Sequence, residues 1–153
     1  MLTLRFAAAC AAGALVFRLG LRKSRKLTEK VKTAEALTVS AQRIRSAIKH
    51  KHALKRELLA ELPFPDSDGS EAATLEYIDG PDFPFGEKDA EKLRAFVSEL
   101  GEGSLERQLA LAEDFREYWA FTAENAKREK AEKGRLCLSL GGLGGLAAII
   151  ILS

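Results

Sequence analysis

Mainly apolar runs stand at both ends of this chain, and they constrain its architecture more than any other feature. The first, residues 2–21, is interrupted only by Arg5 and Arg18, and the last, residues 136–152, has 17 residues without a charge. A helix of about 20 mainly apolar residues can cross a bilayer, and the second run is at the short end of that range. The sequence therefore predicts transmembrane anchors at 1–21 and 136–153 around a polar body at 22–135.

The N-terminal run also has two alternative interpretations. A cleaved signal peptide likewise begins with a basic residue and an apolar core, and Cys10 could carry a lipid. A retained anchor is favoured because basic residues directly after the run are typical of a flank held on the cytoplasmic side. These residues are Arg22, Lys23, Arg25 and Lys26. Whether the segment is retained or cleaved stays open at this point.

The second run has a similar basic flank and a glycine pattern of its own. The flank consists of Lys127, Arg128, Lys130, Lys133 and Arg135. Basic residues inside both runs predict that the body faces the cytoplasm. Gly141 and Gly145 are four residues apart, and together with Gly142 they would leave a flat face on which another transmembrane helix can pack. A tail anchor without a specific partner is the alternative.

Apolar residues of the body recur at steps of three and four, which are typical of helices. Pro63 and Gly101 are expected to end two of these helices, and Ser104 is expected to cap the start of the last one. The predicted elements are a helix over 30–62, a Pro/Gly loop over 63–86 with a short helix at 70–78, a helix over 88–100 and a long helix after residue 104. The predicted fold class is all-α, an antiparallel helical bundle or hairpin between the two transmembrane helices.

The formal net charge of +2 hides an uneven distribution. Residues 21–57 carry 12 Lys and Arg against 3 Asp and Glu, whereas residues 61–117 carry 5 against 16. We therefore expect the basic first helix to lie beside acidic elements, where opposite charges select the pairing. The rest of the basic face is either solvated or meets an acidic partner surface or the anionic leaflet of the bilayer. Candidate partner contacts are Arg43, Arg45, Lys49, Arg56, Phe115 and Trp119.

Catalytic and ligand-binding motifs are missing from the sequence. His50 and His52 are two residues apart, so on a helix they point in different directions and could not hold one metal ion from one face. The carboxylates of the loop over 63–86 fit solvated turns better than acid–base chemistry. Cys10 and Cys137 lie near opposite ends of the chain and build no disulfide framework. We therefore expect no enzymatic activity, no cofactor, no metal and no nucleic-acid partner.

The C-terminal third carries a recognisable pattern. It consists of Phe96-x-x-x-Leu100-Gly101, then Ser104 and Gln108 at the start of a long helix, then Glu132-Lys133-Gly134-x-Leu136-x-x-Ser139-Leu140-Gly141-Gly142-Leu143-x-Gly145 and an aliphatic end. This pattern resembles the stage III sporulation protein AB family of endospore-forming bacteria. No residue of the pattern is catalytic.

The resemblance implies a role in a membrane complex. The family is similar to the cytoplasmic helical domain of the inner-membrane platform protein F of type II secretion systems, and a neighbouring subunit of its complex resembles a secretion ATPase. The implied protein is a non-enzymatic platform subunit in the mother-cell membrane facing the forespore, with a cytosolic body that docks the ATPase, another subunit or a second copy. The alternative is a generic membrane-anchored helical scaffold or a small membrane-active protein unrelated to sporulation.

Overall fold

Helices make up the architecture, as the sequence predicts. The structure, a computed structural model, describes the backbone of residues 2–51, 53–65 and 68–152 and the side chains of residues 15, 18–50, 53–65, 68–136 and 139. Throughout these residues there are helices and no strand: α1 (Leu2–Lys51), α2 (Lys55–Ala60), α3 (Glu71–Asp79), α4 (Glu87–Glu99) and α5 (Leu105–Leu152). The all-α fold class is therefore confirmed.

The chain divides into two compact units. Unit 1 is made of Met1–Thr28 and Ala126–Ser153, and unit 2 is Glu29–Asn125. The long helices α1 and α5 contribute to both units, whereas α2, α3 and α4 belong to unit 2 alone. Unit 2 contains the core and the surfaces considered below.

The predicted transmembrane anchors fall on the beginning of α1 and the end of α5. Across the residues that the structure describes, none of the helices combines the length and the apolar character needed to cross a membrane. Most side chains of the two predicted anchors, including those of 140–152, lie outside the described residues. The anchors therefore stay a prediction from the sequence.

The single helix predicted over 30–62 is divided in the structure. Leu54 has an extended backbone (φ −70°, ψ 154°) directly before α2, and its N–H donates to Glu57 Oε2 at 3.2 Å. The sequence contains the reason, because the positions three and four residues after Ile48 are Lys51 and His52. The apolar stripe of α1 therefore stops at Ile48, and Leu54, the next large apolar residue, is 71% exposed.

The ends predicted for the helices over 70–78 and 88–100, and the predicted start of the last helix after residue 104, are confirmed to within a residue. Ser70 Oγ accepts from the N–H of Ala73 at 3.4 Å before α3, and Ser104 Oγ accepts from the N–H of Arg107 at 3.3 Å in the first turn of α5. A side-chain oxygen in this position satisfies a helical N–H that has no partner within the helix. Gly101 follows α4 with a φ of +86°, a conformation that favours glycine after a helix.

Gln108 fixes the short connection between α4 and α5. Its side chain is only 7% exposed. Its Oε1 accepts from the N–H of Gly101 at 2.8 Å, and its Nε2 donates to the carbonyl oxygens of Glu99, at 3.0 Å, and of Glu102. One side chain therefore satisfies three backbone groups of the connection, which sets where α5 begins relative to α4.

The core of unit 2 is formed by one face of each helix. Within unit 2, the buried apolar residues of α1 are Ala34, Leu37, Ala41, Ile44 and Ile48, which follow the predicted steps of three and four. They pack in one cluster with Leu93, Phe96 and Val97 of α4 and with Ala112, Phe115, Trp119 and Ala123 of α5. Small alanines on both long helices allow a close approach, and the large rings fill the space toward α4.

Candidate functional site

Two of the six predicted partner contacts belong to the core. Phe115 is 5% exposed and Trp119 is 0% exposed. The ring of Phe115 stacks on Phe96 with centroids 3.7 Å apart, and Trp119 meets the edge of Phe85 at 4.8 Å. This corrects the prediction of partner contact at these two rings, because the chain's own side chains cover both.

Ion pairs join basic residues of α1 and α2 to acidic residues elsewhere in unit 2. Arg45 Nη1 lies 3.5 Å from Glu113 Oε2 on α5, and Lys55 Nζ lies 2.9 Å from Glu71 Oε2 at the start of α3. The expectation that the basic first helix lies beside acidic elements is confirmed. These four side chains are between 30% and 55% exposed. Solvent therefore screens the ion pairs, which contribute little stability and mainly select which elements pair.

Glu113 is held as a carboxylate by two arginines. Arg116 Nε donates to its Oε1 at 3.0 Å, and Arg45 lies on the side of Oε2. The hydrogen bond from Arg116, followed by the charges of Arg116 and Arg45, lowers the pKa of Glu113 below its usual value, against the effect of burial. Arg45 is therefore committed in part to an internal partner.

Arg43 and Lys49 remain as the outward-facing cations among the predicted contacts on α1. Arg43 has a side chain that is 66% exposed, and its Nη1 reaches Glu61 only at 3.9 Å. Lys49 is exposed, as is the neighbouring His50. An ion pair this long and this exposed holds its partners weakly, so Arg43 can exchange Glu61 for another carboxylate at little cost.

Arg56 supports the loop before α3. Its Nε donates to the carbonyl oxygen of Asp68 at 3.2 Å. Gly69 has a φ of +75°, and a Cβ at this position would come within 2.1 Å of the carbonyl oxygen of Arg56. Only glycine fits there, so the close approach of the loop to α2 depends on this residue.

A shallow cleft of about 620 Å³ lies beside this contact, between α2 and the start of α3. Its lining includes Lys55, Arg56, Asp68 and Glu71. Lys55 pairs with Glu71, and Arg56 donates to Asp68, so the charged groups of the lining already serve each other. The cleft therefore has no set of groups that converges on a ligand.

For the predicted glycine face and the two histidines, the described residues show no site. Gly141, Gly142 and Gly145 lie in the helical backbone of α5, in a stretch whose side-chain surroundings are outside the described residues. His52 is also outside them, and His50 is exposed on α1. Within the described part of the chain, no three His, Cys, Asp or Glu side chains are grouped as metal ligands.

Sequence reasoning missed an exposed surface on α5. It is formed by Asp114, Glu117, Phe121 and Glu124, which we call the acidic stripe. Phe121 is 67% exposed, although large aromatic side chains are usually covered. The signal was present in the sequence, because Phe121 is two positions from Trp119 and therefore points away from the face that holds Phe115 and Trp119.

The acidic stripe lies on a helix that is firmly fixed. Tyr118 OH donates to Asp89 Oδ1 and links α5 to α4, and burial followed by this hydrogen bond raises the pKa of Tyr118 to about 12. Arg94 on α4 donates to Asp79 at the end of α3 and to Glu87, which raises the pKa of Arg94 further above its usual value. These contacts fix α5 to α4 and α4 to α3, so the acidic stripe is presented by a firmly held helix.

These features define a class of protein, an all-α protein that presents charged helix faces around an aromatic core. Residues 71–153, more than half of the chain, match the family described as stage III sporulation protein AB, and the chain belongs to that family. The resemblance inferred from the sequence is thereby confirmed. The family consists of structural sporulation proteins and is not a known enzyme family, so the role of this chain is related to sporulation.

No curated protein matches the chain, and no solved structure matches it.

Proposed function

We propose that this protein is a non-enzymatic platform subunit of a membrane complex of the mother cell, facing the forespore. By this proposal both ends of the chain anchor it in the membrane, and unit 2 lies in the cytosol as a docking body for other subunits, including the subunit that resembles a secretion ATPase. The observation that carries the proposal is membership of the stage III sporulation protein AB family, whose matched region, residues 71–153, covers α3, α4 and α5 with the apolar end of the chain.

The charge of the two ends supports the membrane part of the proposal. Each apolar run is flanked on its inner side by a cluster of lysines and arginines. Such flanks are retained on the cytoplasmic side, which would place the body between them in the cytosol. The two ends also fall together in unit 1, as expected of a chain that leaves the membrane and returns to it.

The exposed cations of α1 support the docking part. Arg43 has only a long ion pair, and Lys49 is exposed beside it on the same helix. A partner with an acidic surface would be steered to these charges and oriented by them. Arg45 and Arg56 contribute less, since each already has an internal partner at 3.5 Å or nearer.

Cysteine labelling from outside sealed cells tests the topology. Single cysteines at Ser46 and Ser98, both exposed in unit 2, are introduced into a chain in which Cys10 and Cys137 are replaced by alanine. We expect both positions to resist a membrane-impermeant maleimide until the membrane is opened. Labelling of intact cells at both positions would place the body outside and overturn the platform role.

Copurification tests the docking surface. The double variant Arg43→Glu, Lys49→Glu is expected to lose recovery of the ATPase-like subunit, because reversed charges repel an acidic partner. The matched control is Arg107→Glu, a reversal at a side chain that is 65% exposed near the start of α5. Equal recovery with the double variant and the wild type would remove this surface from the proposal.

A vesicle experiment tests the alternative function. Release of dye from pure lipid vesicles by the purified chain alone would favour a membrane-active protein over a platform subunit.

A further inference from the structure

Two exposed stripes of opposite charge lie on the long helices of unit 2. The acidic stripe of α5 centres on Phe121. A stripe on α1, which we call the basic stripe, consists of Val39, Arg43, Ser46 and Lys49, all exposed. Val39 is 47% exposed, so each stripe combines one uncovered apolar side chain with charges of a single sign. An apolar residue beside charges is typical of a protein interface with a polar rim.

The spacing of the two stripes matches in one alignment. When the helices run antiparallel with Val39 opposite Phe121, a step of four residues brings Arg43 opposite Glu117. A step of seven brings Ser46 opposite Asp114, and Lys49 follows one turn further on, within reach of the Asp114 carboxylate. The parallel alignment is unfavourable, because it sets Arg43 against Asn125 and Ser46 against Arg128 and so gives the basic stripe no carboxylate. Glu35 does not distinguish the two alignments, since it meets Glu117 in the parallel one and lies beside Glu124 in the antiparallel one.

We propose that a second copy of this chain is the partner of the acidic stripe, and that the α5 stripe of one copy docks on the α1 stripe of another. The apolar contact between Phe121 and Val39 stands at the centre, and the Arg43–Glu117 and Lys49–Asp114 pairs fix the register. Charge complementarity selects this occupant, since the chain itself presents the required basic surface at the required spacing. The docking replaces the long, exposed Arg43–Glu61 pair. This inference does not depend on the platform role, but it uses the same α1 cations that the ATPase-like subunit is proposed to contact, so the two partners would compete for this surface.

A charge swap tests the pairing in the purified full chain in mild detergent, followed by analytical ultracentrifugation. Glu117→Arg and Arg43→Glu, each alone, are expected to lower the association constant about tenfold, and the two together in one chain to restore it, because the reversed pair is attractive again. Glu91→Lys, a reversal at an exposed position on α4, is the control and should leave association unchanged. Thermal unfolding checks that each variant is folded.

Disulfide crosslinking tests the alignment. Two chains without Cys10 and Cys137, one with Ser46→Cys and the other with Asp114→Cys, are mixed and oxidised. The mixed dimer is expected as the main product, and replacing the second chain by Ser98→Cys should abolish it. A monomeric wild type, a swap that fails to restore association, or crosslinking equal to that of the control would each overturn the proposal.

The platform role and the self-association can be tested separately. Glu117→Arg is expected to weaken self-association while recovery of the ATPase-like subunit persists, since Glu117 lies outside the basic stripe. A body found outside the cell would remove the platform role and leave the crosslinking result standing.

Discussion

Gln108 is the side chain on which the α4–α5 connection depends. The connection contains two glycines with positive φ, Gly101 and Gly103, and such a backbone has few hydrogen bonds of its own. A buried amide is suited to the task, because it offers an acceptor to one N–H and two donors to carbonyl oxygens. Gln108 is also part of the sequence pattern that resembles the family, and its three hydrogen bonds are a physical reason for a glutamine at that position.

Replacing Gln108 by alanine should lower the free energy of unfolding by about 1–3 kcal/mol, because backbone groups near a buried side chain lose their partners. Chemical denaturation followed by circular dichroism measures the change. Gln108→Glu keeps the acceptor for Gly101 and loses the amide donors, so its stability should be lowered as well. An alanine variant as stable as the wild type would mean that water replaces all three hydrogen bonds.

Tyr118 makes the stability of the folded bundle depend on pH in the alkaline range. Its pKa in the folded chain is about 12, raised from 10.0, so the folded state holds the phenolic proton more tightly than the unfolded state. The stabilisation is fully present below pH 10 and is lost as the pH rises toward 12. Denaturation at a series of pH values should show this loss in the wild type and a smaller loss in Tyr118→Phe. Parallel curves for the two proteins would contradict the assignment.

At the scale of the elements, α1 is held by one face only. Leu37 is fully buried, whereas Val39, two positions away, is on the opposite side and half uncovered. The helix is therefore stabilised by packing of its apolar stripe, with little contribution from its outer face. The division between α1 and α2 falls where the same stripe is interrupted, since Lys51 and His52 stand three and four residues after Ile48. Burial of apolar residues resumes in α2 with Leu58 and Leu59.

A matched pair of substitutions on α1 tests this account. Leu37→Ala should destabilise the chain by about 2–5 kcal/mol through the cavity it leaves. Val39→Ala on the same helix should change stability by less than about 0.5 kcal/mol, since it removes surface contacts alone. Thermal and chemical unfolding measure the loss of stability in each variant. Equal losses would contradict the burial of Leu37 and the exposure of Val39.

At the scale of the whole molecule, a rigid body of helices is joined to two apolar ends through uninterrupted long helices. α1 runs from Leu2 to Lys51 and α5 from Leu105 to Leu152, so each passes from unit 2 into unit 1 without a loop.

Packing of the glycine face in the proposed C-terminal anchor is tested by Gly145→Leu. A leucine there would fill the flat face and should lower recovery of the membrane complex on pull-down, with the thermal unfolding of unit 2 unchanged. Ala147→Leu is the control, because two residues further along an ideal helix the side chain points to nearly the opposite side. Undiminished recovery with Gly145→Leu would exclude this face as an interface.

The sequence by itself determined the helices, most of their ends and the family. Apolar steps of three and four, serine caps and a glycine stop act within a few residues of one another, so they can be recognised without knowing what packs where. Tertiary structure alone decided which side chains are available to a partner. Phe115 and Trp119 are covered because Phe96 and Phe85 approach them from other parts of the chain. Phe121 is 67% exposed because no described residue of unit 2 covers that side of α5. Arg45 is drawn inward by Glu113, while Arg43, two positions earlier, is left with a long pair, and this depends on contacts between residues distant in sequence.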